Sequence, residues 1–312
     1  MKILISDELQ EQAVQLLQNN GFEVKTHYEI NSEELKNEIE TYDAIIIRSR
    51  TKLTSEILTH AKKLKAIGRA GVGLDNVDLE KAEELGIKVL NTPEAPSVSV
   101  AELTIGLLLN LMRHISKADQ TMHCGEWLKS NYLGSTLEGK KIGLIGYGNI
   151  GQAVAERCAA LKMKIGIYDV DPIVKEKARK LGYTVHSSVD ELIKNSQIVS
   201  LHIPATVQTE NTINENRLKL MNKDTILINT ARGNLVDEAA LINALKMKNI
   251  GGAALDVYRE EPLKNLEFCD CEENLILTPH IGSQTKETQI QASISIAQKI
   301  SDYLIKKIKI KK

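Results

Sequence analysis

Short apolar runs alternate with amphipathic stretches along most of the chain. In the first hundred residues, runs at 2–5, 44–47, 66–68 and 88–90 read as strands. Stretches at 7–19, 32–39, 55–61 and 79–85 read as helices, several opening on a Ser or Asp suited to an N-cap. Strands that alternate with helices predict a parallel sheet covered on both faces. Pro93 and Pro96 interrupt the pattern. A Leu-rich stretch at 99–124, sparse in Gly and Pro, predicts one long helix whose apolar stripe packs in a core. The alternation then resumes, with six strands at 142–145, 164–168, 198–201, 225–229, 251–255 and 275–277. The last helical stretch, 283–305, is expected to cross back to the first half. Residues 1–97 and 284–312 then form one domain and 98–283 the other.

One turn in the second half changes this picture from architecture to chemistry. Gly146-Tyr147-Gly148-Asn149-Ile150-Gly151 follows the apolar run Ile142-Gly143-Leu144-Ile145 and precedes a helix at 152–161. In a strand–turn–helix of this kind the first glycine permits the tight turn. The second lets the backbone approach a pyrophosphate, and the third lets helix and strand pack closely. The helix N-terminus presents N–H groups and a positive dipole end to the phosphates. Asp169 closes the next strand 18 residues after Gly151, near the spacing of about 20 at which a carboxylate meets the adenosine ribose. That charge repels a 2′-phosphate, and Val170 and Asp171 supply no compensating arginine, so NAD is expected over NADP. The fold class is α/β: two doubly wound parallel-sheet domains, a Rossmann NAD-binding domain inserted in a flavodoxin-like one.

Three further residues follow predicted strands of that domain. They are Arg232 in Asn229-Thr230-Ala231-Arg232-Gly233, Glu261 before Pro262, and His280 in Thr278-Pro279-His280-Ile281-Gly282. Open α/β sheets bind ligands at the carboxyl ends of their strands. The types suit hydride exchange between a nicotinamide and a 2-hydroxy acid. An arginine fork holds a carboxylate, a histidine exchanges the hydroxyl proton, and a neighbouring carboxylate orients the imidazole and favours its charged form. Singly, each has a plainer reading: a surface ion pair, a solvated loop residue, a helix cap.

Composition narrows the classes. A length of 312 residues suits two domains, 42% apolar residues supply ordinary cores, and a net charge of −1 gives no field for nucleic acid or acidic membranes. The four cysteines form no disulfide framework, and Cys269-x-Cys271 lacks a second pair for a metal, so no metal is expected. The start is a strand interrupted by charge, not a signal peptide, and no apolar run reaches the roughly 18 residues of a membrane span. A reduced, soluble, cytoplasmic protein is expected. The basic end from Lys306 to Lys312 reads as a solvated terminus.

The motifs together resemble the D-isomer-specific 2-hydroxyacid dehydrogenase family across essentially the whole chain. Besides the glycine turn, they are LINTARGNLVDEAALINAL (227–245), GGAALDVYREEP (251–262) and LTPHIGSQT (277–285). The resemblance implies Arg232, Glu261 and His280 as catalytic residues. It implies cofactor contacts from Gly146, Gly148, Asn149, Ile150, Gly151, Asp169, Ile203, Pro204, Thr230, Ala231, Asp256, His280 and Gly282. RSRTKLT (48–54) and GRAGVGLDNVDL (68–79) resemble the phosphoglycerate dehydrogenase branch. That branch implies substrate contacts from Arg48, Ser49, Arg50, Gly71, Val72 and Gly73, with Arg232 and His280. The two arginines would face a phosphate, and the backbone N–H groups of Gly71, Val72 and Gly73 a carboxylate. Val72 departs from the threonine often found there. Trp127 resembles a tryptophan packed across a homodimer interface of the NAD domains; an intrachain core position is its plainer reading. A C-terminal regulatory domain, and feedback through it, is not expected.

The expected reaction is NAD-dependent oxidation of D-3-phosphoglycerate. The alternatives are a glyoxylate or hydroxypyruvate reductase with the same trio, and a non-catalytic NAD(H)-sensing scaffold. Pro93–Pro96 and 282–285 are the expected hinges of an inter-lobe cleft.

Overall fold

The computed structural model describes residues 1–268, 271 and 274–310, the last three without their side chains. Cys269 of the Cys269-x-Cys271 pair, and Lys311 and Lys312 of the basic end, lie outside the described residues. The chain divides into two compact units, Met1–Pro96 with Ser283–Lys312, and Ser97–Gly282.

The first unit holds a five-stranded parallel sheet: β1 (Lys2–Ile5), β2 (Glu23–Thr26), β3 (Ala44–Ile47), β4 (Ala66–Arg69) and β5 (Lys88–Asn91), in the order β2-β1-β3-β4-β5. Alternate side chains of one strand enter opposite cores. Ile3 and Ile5 pack on one face of the sheet, and Leu4 on the other. This is why the strand reads as a continuous apolar run. Helix Lys286–Ile310 lies on β4, where a Cβ at Gly68 would fall 2.8 Å from Ile300 Cγ1. The strand order reverses between β1 and β3, and the loops at their carboxyl ends carry Asp7 and Arg48 to Thr51.

The second unit holds seven parallel strands: β6 (Lys141–Ile145), β7 (Lys164–Tyr168), β8 (Thr184–Val185), β9 (Ile198–Leu201), β10 (Ile226–Asn229), β11 (Gly252–Leu255) and β12 (Leu275–Leu277). Their order is β12-β11-β10-β9-β6-β7-β8, a doubly wound sheet with its switch point between β6 and β9. Both faces are again buried, Ile145 on one and Ile142 and Leu144 on the other.

Two edge strands, β2 and β8, go beyond the sequence expectation of four and six strands. They are short and carry exposed polar residues, so no apolar run marks them. The single helix expected at 99–124 is two, Ser97–Arg113 and Ile115–His123, bent by 65°. His114 between them is left-handed, with φ 54°. Asn110 stabilises the break: its Oδ1 accepts the Ser116 N–H at 2.8 Å and its Nδ2 donates to Ser116 Oγ at 2.6 Å. Among the described residues no single helix is long and apolar enough to cross a membrane. Trp127 is 78% exposed, which removes its intrachain-core reading.

Candidate active site

The glycine turn is shaped by the strands it leaves. Gly146 has φ +98°, and a Cβ there would fall 2.4 Å from the His202 carbonyl oxygen and 2.8 Å from Ile203. A Cβ at Gly151 would fall 2.3 Å from the Gly146 carbonyl oxygen. Gly148 by contrast borders open space. Helix Asn149–Ala160 begins there with no side-chain cap, unlike the helices opened by Asn31, Asp171 and Ser188. The first-turn N–H groups of Asn149, Ile150 and Gly151 thus face a cradle with room for an anion. Asp169, at the end of β7, holds the turn: its Oδ2 accepts the Tyr147 N–H at 2.7 Å. These residues fit a dinucleotide. Ile203, after β9, sits over Gly146, and Pro204 beside it is exposed.

His202 was not a sequence candidate. Its Nε2 lies 2.9 Å from Ser200 Oγ, and its Nδ1 is buried without a partner among the described residues. Burial pushes its pKa down to about 3, so the ring under the glycine turn is neutral.

The catalytic candidates stand on loops after β10, β11 and β12. Buried Asn229 shapes the first loop: its Oδ1 accepts the Ala231 N–H at 3.0 Å and its Nδ2 donates to the Arg232 carbonyl at 2.8 Å. Thr230 Oγ1 pairs with Thr104 Oγ1 of helix Ser97–Arg113 at 3.0 Å. A Cβ at Gly233 would fall 1.9 Å from the Tyr258 carbonyl carbon. The Arg232 loop and the loop leading to Glu261 therefore touch backbone to backbone. Glu261 Oε1 accepts the Tyr258 N–H at 3.1 Å, and its Oε2 lies 2.7 Å from His280 Nδ1. The imidazole is 46% exposed with its Nδ1 turned to Glu261.

Asp256 fixes the His280 loop. Only 1% exposed, it accepts Thr278 Oγ1 at 2.6 Å and the Ile281 N–H at 2.8 Å on Oδ1, and the Gly282 N–H at 2.8 Å on Oδ2. Gly282, an expected cofactor contact, has its N–H on Asp256. Tyr258 supports the same loop by donating to the Thr278 carbonyl at 2.9 Å. Burial, with the Asp256 carboxylate beside it, pushes that phenol up to about 12. His280 itself has φ 53°.

In the first unit, buried Asp7 organises the loop after β3. It accepts the Arg48 N–H at 2.5 Å, the Thr51 N–H at 3.2 Å and Thr51 Oγ1 at 2.6 Å, and pairs with Arg50 at 3.1 Å. Arg50 also donates to the carbonyls of Ile30 (3.0 Å) and Ser6. Ser49, between the two arginines, is exposed. Gly71 has φ +143°, and the Arg69 guanidinium lies across it where a Cβ would stand. The Gly71 N–H donates to Thr92 Oγ1 at 2.8 Å, and Asn91 Nδ2 donates to the Val72 carbonyl at 2.7 Å. Gly71 therefore has no N–H to offer a carboxylate, and Val72 and Gly73 are the candidates that remain. Arg69, within the 68–79 motif but not among the contacts expected from it, adds a guanidinium beside Gly71.

Residues 105–282 match the NAD binding domain of D-isomer specific 2-hydroxyacid dehydrogenase. The chain belongs to this family. D-3-phosphoglycerate dehydrogenase of Methanocaldococcus jannaschii is 43% identical over 97% of this chain and 57% of its own length. Hydroxypyruvate reductase of Thermotoga maritima is 41% identical over 96% of this chain and 97% of its own. The chain thus spans little more than half the length of that phosphoglycerate dehydrogenase. An acyclic imino acid reductase, Bsp5, solved with NADPH and D-Arg, shares the fold with a TM-score of 0.88 and 33% identity over 98% of both chains. The 2-hydroxyacid dehydrogenase fold and its nicotinamide cofactor accord with the doubly wound sheet and glycine cradle described above.

Proposed function

We propose that the chain oxidises D-3-phosphoglycerate to 3-phosphohydroxypyruvate with NAD, the entry reaction of serine biosynthesis. The observation that carries the chemistry is the 2.7 Å contact between Glu261 Oε2 and His280 Nδ1 at the carboxyl edge of a dinucleotide sheet. With Nδ1 held, Nε2 would take the proton from the substrate hydroxyl oxygen while the carbon bearing that oxygen gives up its hydride and the carbonyl forms. Arg232 holds the substrate carboxylate. The bound nicotinamide supplies the hydride acceptor. Asp169 favours NAD, because a carboxylate fastened in place cannot swing aside for a 2′-phosphate.

The phosphate is assigned to Arg48, with Arg69 as a second guanidinium. Arg50 is occupied by Asp7 and two carbonyls, so its replacement would loosen the whole loop. Arg48→Ala is the sharper test. It should raise KM for phosphoglycerate about 10–100-fold, the worth of one charge-assisted hydrogen bond, and leave KM for hydroxypyruvate nearly unchanged. Equal effects would remove the phosphate role. A hydroxypyruvate reductase is the second reading, favoured by coverage of 97% of that relative. A panel of both acids with NAD and NADP decides between them, and binding without turnover would support a scaffold.

A two-fold homodimer through the second unit is part of the proposal. Exposed Met122, Trp127, Leu128 and Leu133 support it. Light scattering of Trp127→Ala should report a monomer. A reducing cytoplasm suits the free thiols of Cys124, Cys158 and Cys271.

A further inference from the structure

Asp169 selects the cofactor in the reading above, yet both of its oxygens are engaged before any ligand arrives. Oδ2 accepts the Tyr147 N–H from inside the glycine turn at 2.7 Å, and Oδ1 accepts the Asp171 N–H at 2.9 Å. The Tyr147 carbonyl is held from the other side by Gln152 Nε2 at 2.9 Å. Gly146 adds a single main-chain tie, its N–H to the Tyr168 carbonyl at 2.8 Å. Beyond these contacts the turn runs into open space at Gly148 and into a helix without a side-chain cap.

We infer that Asp169 is also a positioning residue: its carboxylate sets the backbone that receives the pyrophosphate. The inference rests on the dinucleotide reading of this site and makes cofactor choice and turn geometry properties of one side chain. A replacement that removes the charge but keeps an acceptor oxygen relaxes the choice alone. A replacement that removes both also frees the turn.

Hydrogen exchange of the cofactor-free protein tests this, with NADH and NADPH titrations beside it. In Asp169→Ala the Tyr147 amide should exchange at least about tenfold faster, as expected for loss of a charge-assisted hydrogen bond. The Ile228 amide in β10 should keep its protection, which reports an intact fold. NADPH binding should not tighten, because the relieved repulsion meets a loosened turn. In Asp169→Asn, which keeps one acceptor, Tyr147 exchange should stay within a few-fold of wild type, roughly a third of the alanine effect on the logarithmic scale or less. The preference for NADH over NADPH should fall in the same variant. An unchanged Tyr147 exchange rate in Asp169→Ala overturns the inference, whatever the affinities do. Failure of the wild-type protein to bind either nucleotide would sink the cofactor reading instead, and leave the exchange result standing.

Discussion

Replacing Asp256 with alanine should detach His280, the proposed general acid–base, without touching it. The carboxylate is 1% exposed and takes three donors, all from Thr278, Ile281 and Gly282. Each buried donor left unsatisfied costs about 1–3 kcal/mol. Three give an upper range of about 3–9 kcal/mol, and the low end applies because the Thr278 and Ile281 donors are only part-buried and the loop can turn toward water. A cost of about 3–5 kcal/mol approaches the 5–15 kcal/mol that holds a typical domain. The loop is expected to open locally, since opening restores hydration to all three donors. His280 then loses its 2.7 Å contact with Glu261. Misplacement by about 1 Å costs roughly 10²-fold in rate. The assay is steady-state kinetics beside hydrogen exchange: kcat should fall about 10²–10³-fold, and the Ile281 and Gly282 amides should lose protection. Asp256→Asn keeps one acceptor and should fall between. Full kcat with both amides still protected would rule out this role for Asp256.

Other expectations follow from the same geometry. His280→Ala should lower kcat by about 10²–10⁴-fold, with nucleotide binding retained in a fluorescence titration. Gly233→Ala has no room for its methyl beside the Tyr258 carbonyl carbon; it should lower Tm and kcat together, and an unchanged Tm would remove the backbone contact from the argument. His202 ties stability to pH. Its folded pKa lies below the ordinary 6.5, so the unfolded chain binds the extra proton and stability falls as pH drops from 6.5 toward 3. The slope is up to about 1.4 kcal/mol per pH unit. Urea melts at pH 7 and 5 should show wild type losing up to about 2 kcal/mol more than His202→Gln, and equal losses would rule this out.

The residues legible in the sequence are those whose neighbours in the chain define their setting. Gly146 to Gly151 sits between an apolar run and a helix, so the turn announces itself. Arg232, Glu261 and His280 each follow an apolar strand, and strand ends carry ligands in such sheets. What stayed hidden depends on partners far along the chain. Asp256 reads in sequence as a cofactor contact alone; its hold on the N–H groups of Ile281 and Gly282, 25 and 26 residues later, shows only in the fold. Arg69 looks like an ordinary charged residue until Gly71 is seen making room for it. The break at His114 is written in Asn110 and Ser116 rather than in a glycine or proline, and Leu spacing runs through it unaltered. The Arg48 and Arg50 pair looks symmetric in sequence; Arg50 alone has its guanidinium on Asp7 and the Ile30 and Ser6 carbonyls.

The first unit is assembled from both ends of the chain, and this sets an order of events during synthesis. Ile296, Ala297, Ile300 and Leu304 share one core with Ile3, Ile5 and Ala66. When the first 96 residues have left the ribosome, helix Glu11–Asn19 covers only part of that face, through Ala13 and Leu17. At about 5–20 residues per second the intervening unit takes on the order of tens of seconds to emerge. It can complete its own sheet in that time, while the nascent first unit waits with exposed isoleucines. Chaperone demand should therefore concentrate in that interval and end when the final helix arrives.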